Sequence, residues 1–311
     1  MIIQLLQHNM INKSLWDEGV SNAFNGNLYA YSWYLDIVSP GWCALVEGDY
    51  ENVFPLPVSS RAGIKYIMQP YFTQQLGLFS RSILPETKLT EFLSNIRSSY
   101  RYIDINMNIS NYLYPSGNIA EMTNLELDLK NEYNKIASGY QNNLKRNLKK
   151  ASQNKLSITK NVTPEELISL FRANKGQDLK HLNDSQYVLI QKIAYESIQK
   201  GMAEIVGACD NSNQLIAGIL WITSHHKSIF LFSALSETGR NLNAMPWLID
   251  AFIRQNAGKP LTLDFEGSNN ESLARFYSSF GAKKIIYQRY VRNSLPAIFR
   301  IALKSWRLIR R

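Results

Sequence analysis

The chain has 311 residues, enough for two domains of ordinary size, and its 45% hydrophobic content excludes a mainly disordered protein. No apolar run is long enough to span a bilayer, and the opening Met-Ile-Ile-Gln-Leu-Leu lacks the marks of a signal peptide, so a cytoplasmic protein is expected. The net charge of +9 is local: six basic residues lie within 141–160 and six within 292–311, both stretches without acids, which points to an anionic partner.

In chain order, the aromatic-rich 28–37 reads as a helix ended by Ser39-Pro40-Gly41. Stretches 43–47 and 50–58 read as strands around Gly48-Asp49, followed by a strand at 64–68 and a helix over 86–98 behind Pro85. The alternation at 102–107 and 121–129 predicts two further strands. A basic helix is predicted over 142–152 and a strand over 156–160. Thr163-Pro164-Glu165-Glu166 opens a helix, with Thr as N-cap, Pro at the first helical position and acids in the first turn. An amphipathic helix over 184–199 stops at Gly201. Strands at 203–208, 215–222 and 229–235 lead to a helix over 242–256. Leu261 to Phe265 is then a short strand, broken by Glu266-Gly267-Ser268. Leu273, Phe276, Tyr277 and Phe280 recur at helical spacing, Gly281 stops that helix, and 284–291 returns as strand.

This order puts Asp264 and Glu266 at the C-terminal end of a strand, where α/β proteins place their chemistry. On a regular strand the two face one side. One of them is then a holder of an acceptor amine or hydroxyl, or a general base; otherwise Asp264 caps a turn or pairs with Arg275. Gln69, Tyr71, Gln74 and Gln75 cluster in the first half, as an acceptor cleft or as a polar loop. Lys145, Arg146 and Lys149 on the basic helix suit phosphates of tRNA or of a nucleotide-linked acceptor, or else form a solvated face. Arg300, Lys304, Arg307 and Arg311 form one stripe of an amphipathic helix over 295–311. That composition suits an anionic membrane surface, RNA or simple packing. Cys43 and Cys209 read as buried free thiols, and the four scattered histidines give no metal site.

Asp264-Phe265-Glu266-Gly267, with Phe276 to Gly281 after it, resembles the C-terminal half of the FemAB-like branch of the GNAT acyltransferases. The basic helix after Tyr140, the segment Ser233-Ala-Leu-Ser236 and Pro70 to Gly77 resemble the same family in the same order. The resemblance implies an α/β mixed sheet in two tandem GNAT-like halves, the first degenerate: residues 1–138, 139–291 and a C-terminal helix over 292–311. It implies an acyltransferase acting on an amine or hydroxyl of a cell-envelope precursor, a peptidoglycan peptide or polysaccharide unit. The donor would be acyl-CoA or aminoacyl-tRNA, with no permanently bound cofactor. Asp264, Glu266 and Tyr277 would be catalytic. Ser233, Ser236, Arg240, Asn241, Asn243 and Phe276 would meet the donor. Two departures stand out. Tyr277 occupies the place of a lysine in members that use aminoacyl-tRNA. The stretch 237–245 has a single glycine where acyl-CoA enzymes carry a glycine-rich pyrophosphate loop. Both fit a rival expectation, a non-catalytic protein of this fold that binds an anionic membrane or RNA.

Overall fold

The computed structural model describes residues 2–61, 63–179, 182–267, 269–296 and 299. They fall into two compact units, one within Met1–Met122 and Ile286–Arg311, the other Thr123–Ile285. The stripe Arg300, Lys304, Arg307 and Arg311 lies outside the described residues, while Arg292 and Asn293 close the last strand.

The first unit comprises β1 (Ile3–Leu6), α1 (Lys13–Ser21), α2 (Ser32–Val38), β2 (Cys43–Glu47), β3 (Asn52–Leu56), β4 (Val58–Arg61), β5 (Ile64–Met68), β6 (Phe79–Ser80), α3 (Glu86–Ser94), β7 (Tyr100–Asn106) and the start of β8 (Ile119–Asp128). The helix expected over 28–37 is broken. Leu28–Ala30 is a 3₁₀ turn, Tyr31 is extended, and α2 starts only at Ser32. The Asp17 carboxylate on α1 accepts both the Ser32 N–H and its hydroxyl at 2.7 Å, which fixes where α2 begins. Strands β1-β2-β3-β6 form an antiparallel sheet whose two central strands are buried on both faces.

The second unit continues with α4 (Tyr133–Ser138), α5 (Asn142–Ala151), β9 (Ser157–Thr159), α6 (Pro164–Ala173), α7 (Asp184–Gln199), β10 (Ala203–Cys209), β11 (Leu215–Ser224), β12 (Lys227–Leu235), α8 (Glu237–Asn241), α9 (Ala244–Asn256), β13 (Thr262–Asp264) and α10 (Glu271–Ser278); β14 (Lys283–Asn293) begins here and runs, from Ile286, in the first unit. Local chemistry sets the helix starts. Thr163 with Glu166 and Asn183 with Gln186 form capping boxes, and Asn270 caps α10. The strands run in the order β8-β13-β12-β11-β10-β9, antiparallel except for β12 beside β13. Apolar faces of β11 and β12 bury Trp221 and Phe230 against Phe252 of α9 and against Phe265, Tyr277 and Phe280.

Both units contain one motif, a parallel strand pair flanked by an antiparallel strand. In the first, β5 and β7 are parallel and β14 runs against β7; in the second, β12 and β13 are parallel and β8 runs against β13. Asp104 and Asp264 hold the same place in the two motifs, each beside a cation: Arg289 at 2.6 Å and Lys227 at 3.5 Å.

The motifs differ beyond that point. In the first unit the chain leaves β5, turns, and returns so that Leu76 bridges Met107 in parallel. The Gln69 N–H donates to Asp104 O (2.8 Å), Leu76 N–H to Asn106 O (2.9 Å) and Asn108 N–H to Leu76 O (2.7 Å). These bonds seal the parting between the strands. In the second unit the register ends at Ile229 opposite Asp264, Phe265 N–H turns to Leu125 O of β8, and β12 runs on to Leu235.

Candidate active site

Where β12 and β13 part, Tyr277 packs on Phe230 of β12 and on Phe265, which follows β13, and Glu266 comes next in the chain. Glu266 adopts a left-handed backbone (φ 49°), which costs a non-glycine residue about 1–2 kcal/mol. The Asp264 carboxylate holds it there: Oδ1 accepts the Glu266 N–H at 3.0 Å, two residues on, as an Asx turn does. The strand thus ends at Asp264, and the expectation that Asp264 and Glu266 share one face of a regular strand is corrected. Asp264 is buried as a turn-former. Glu266 keeps part of its surface accessible, yet its carboxyl is set deep enough that lost hydration pushes its pKa up to about 8. Tyr277 is 6% exposed, stacked on Phe265 and edge-on to Phe230. Burial, and then the charge of Glu266, raise the phenol's pKa, so it stays a proton donor.

Three residues that sequence reasoning missed lie under this turn. Glu126 on β8 stands directly opposite Asp264, and Lys227 at the start of β12 reaches both, 2.6 Å from Glu126 Oε1 and 3.5 Å from Asp264 Oδ2. The fully buried Asn124 donates to Asp264 Oδ1 at 2.9 Å and to Glu126 Oε1 at 3.3 Å. Burial raises the Glu126 pKa, as does the Asp264 charge, although Lys227 opposes the rise. Burial alone would lower Lys227; the two carboxylates outweigh it and raise it. The partner of Asp264 is therefore Lys227, not Arg275. A signal existed in the sequence: alternation places Lys227 in register with the buried Ile229 and Leu231.

The expected donor residues sit on β12 and the segment after it. Ser233 is half-buried on β12. Ser236 caps α8, its hydroxyl accepting the Gly239 N–H at 3.0 Å and donating to Ile216 O at 3.1 Å. Gly239 is packed on β11: a Cβ there would lie 2.3 Å from Ile216 O. The one glycine of this segment thus serves packing. Arg240 and Asn241 are exposed, and Asn243 is left-handed (φ 56°) just before α9. Phe276 lines a cleft of about 460 Å³ between α5 and α10, together with Arg275, Gln141, Asn143 and Asn147.

In the first unit, Gln69 and Gln75 bond within their own surroundings. Gln69 donates to Thr73 O (2.9 Å) and accepts from Asn106 N (3.0 Å); Gln75 donates to Gln74 Oε1 (2.8 Å) and accepts from Ile109 N (3.1 Å). The Tyr71 ring lies against Phe72. On α5, Leu144 and Ala151 face inward while Lys145, Arg146 and Lys149 are exposed, with Lys145 donating to Ser138 O.

The sequence matches no protein-family model and no curated protein. Solved structures do match the fold. The crystal structure of FemX superposes with a TM-score of 0.64 at 11% identity, over 93% of this chain and 97% of that one. The fold is that of the FemAB-like acyltransferases. The C-terminal domain of a putative lysylphosphatidylglycerol synthetase from Agrobacterium fabrum shares it with a TM-score of 0.51 at 9% identity, over 92% and 95% of the two chains, and L-PGS from Bacillus licheniformis with a TM-score of 0.52 at 11% identity, over 97% and 98%. A protein of unknown function from Bacteroides thetaiotaomicron does so with a TM-score of 0.58 at 8% identity, over 90% and 97%.

Proposed function

We propose that the second unit transfers an acyl or aminoacyl group to an amine or hydroxyl of a cell-envelope precursor, a peptidoglycan peptide or polysaccharide unit. The observation that carries the reading is the parting of β12 from β13 beyond Ile229 and Asp264, with Tyr277 packed on Phe230 of β12 and Glu266 near enough for its charge to raise the phenol's pKa. Likeness to FemX and to a lysylphosphatidylglycerol synthetase, one named for an aminoacylated lipid, supports the reaction class. In this mechanism the acceptor nitrogen or oxygen attacks the donor carbonyl and gives its proton to the Glu266 carboxylate. Backbone N–H groups along β12 steady the oxyanion. Collapse breaks the bond from the carbonyl carbon to the donor's sulfur or oxygen. The leaving group takes the Tyr277 proton, which Glu266 replaces. The donor is acyl-CoA or aminoacyl-tRNA. Arg240, Asn241 and Asn243 meet its phosphates, and Lys145, Arg146 and Lys149 meet those of a tRNA.

A second reading, a binding protein that has lost transfer, draws on the packed Gly239 and on the phenol at position 277. The test is transfer of radiolabel from a panel of acyl-CoAs and aminoacyl-tRNAs to muropeptides and polysaccharide units. Transfer that Glu266→Gln and Tyr277→Phe each reduce supports the enzyme. Binding of anionic vesicles or RNA that survives both changes, with no transfer from any donor, supports the binder.

A further inference from the structure

The cluster beneath the Glu266 turn joins three strands through one lysine. Lys227 opens β12, Asp264 ends β13 and Glu126 faces Asp264 from β8. Two acids directly opposite in a ladder repel, and a buried carboxylate needs a compensating partner. Lys227, its side chain 26% exposed, is the cation that contacts both at 2.6 and 3.5 Å. Asp264, 5% exposed at its side chain, in turn gives Oδ1 to two donors, the Asn124 amide at 2.9 Å and the Glu266 N–H at 3.0 Å. The second of these bonds ends on the N–H of the left-handed residue itself.

We propose that Lys227 is a positioning residue: by neutralising the Asp264 carboxylate it holds the Asx turn that aims the Glu266 side chain at the opening between β12 and β13. The chain of contacts runs from Lys227 Nζ to Asp264 Oδ2, and from Asp264 Oδ1 to the Glu266 amide. Without the cation, the facing Asp264 and Glu126 carboxylates repel and move apart, and Asp264 Oδ1 is drawn away from its two N–H donors. The turn then relaxes, and Glu266 leaves its desolvated seat. Glu126 serves a different end, fixing the lysine from the far side. The role assigned to Glu266 rests on the transfer reading above; the structural link from Lys227 to Glu266 does not.

The experiment is NMR of the full chain, following the Glu266 amide proton and its carboxyl carbon through a pH titration, in the wild type and in Lys227→Met, Lys227→Arg and Glu126→Gln. In Lys227→Met the Glu266 amide loses its downfield hydrogen-bond shift, and the carboxyl titrates well below about 8, towards the ordinary glutamate value of about 4.3. Lys227→Arg restores both signals, and Glu126→Gln leaves the Glu266 amide in place. If transfer is detected, Lys227→Met lowers kcat about 100-fold with little change in KM, as misplacement of a reacting group does. Unchanged Glu266 signals in Lys227→Met overturn the proposal, even if transfer is found. Lost signals without any detectable transfer leave the positioning link standing and remove the enzyme reading. Should Lys227→Met not fold, Lys227→Gln, polar but uncharged, carries the same test: loss of the downfield amide shift is expected, and its retention overturns the link.

Discussion

The Tyr277 ring lies on Phe265 with centroids 4.6 Å apart and planes inclined by 20°, so a residue expected to act chemically is also a layer of the core. Ring and hydroxyl are separable. Tyr277→Phe keeps the stack and changes the midpoint of urea unfolding little, while lowering transfer about 100-fold if the phenol protonates the leaving group. Tyr277→Ala removes the layer and costs about 3–5 kcal/mol of stability. Equal transfer by the wild type and Tyr277→Phe would reduce the tyrosine to packing.

Glu266 gives a pH signature with a defined sign. Its folded pKa of about 8 lies above the unfolded value of about 4.3, so the fold favours the protonated form. As pH rises between these values the unfolded chain releases its proton first. Stability therefore falls across that window and levels above about pH 8. Transfer follows the opposite course, climbing with pH until the carboxylate is populated. Glu266→Gln removes this contribution to both slopes. Chemical denaturation and initial rates measured across the same pH series check the two arms together.

The first unit has its own buried pair. Arg289 Nε and Nη2 each lie 2.6 Å from an Asp104 oxygen, and the Tyr102 hydroxyl donates to the same carboxylate. Arg289→Met strands a buried charge and destabilises by about 3 kcal/mol. The double change with Asp104→Asn recovers part of that loss. A double-mutant cycle by denaturant unfolding reads the coupling, and strict additivity would show that the pair adds nothing.

Gly239 tests the packing of the segment after β12. A methyl group there meets Ile216 O at 2.3 Å and Leu235 Cδ1 at 2.8 Å, one of them immovable backbone. Gly239→Ala therefore displaces α8 and destabilises by about 1–3 kcal/mol. Thermal unfolding checks it, and an unchanged midpoint would mean that α8 is free to shift.

Much of the second unit was legible because its signals are local. Thr163 with Glu166 announces α6, the 3.6-residue period fixes Asp184–Gln199, and Gly281, left-handed at φ 81°, ends the turn after α10. The resemblance at Asp264 to Gly281 led to the fold that the structural comparisons bear out. What stayed hidden depends on contacts far apart in sequence. Nothing near Asp264 names Lys227, 37 positions earlier, or Asn124, on another strand. The break at Tyr31 follows from Asp17, whose carboxylate claims the Ser32 N–H from another helix. The same holds for Gln69 and Gln75, which accept from the N–H groups of Asn106 and Ile109, more than thirty positions on.

Transfer by the second unit is tested most directly by mass spectrometry of cell-envelope acceptors after incubation with donor and the 311-residue protein, wild type beside Glu266→Gln. The acceptor is expected to gain the mass of one acyl or aminoacyl group with the wild type, and at least ~100-fold more slowly with Glu266→Gln. Equal rates for the two proteins, or no gain from any donor, would contradict transfer through Glu266.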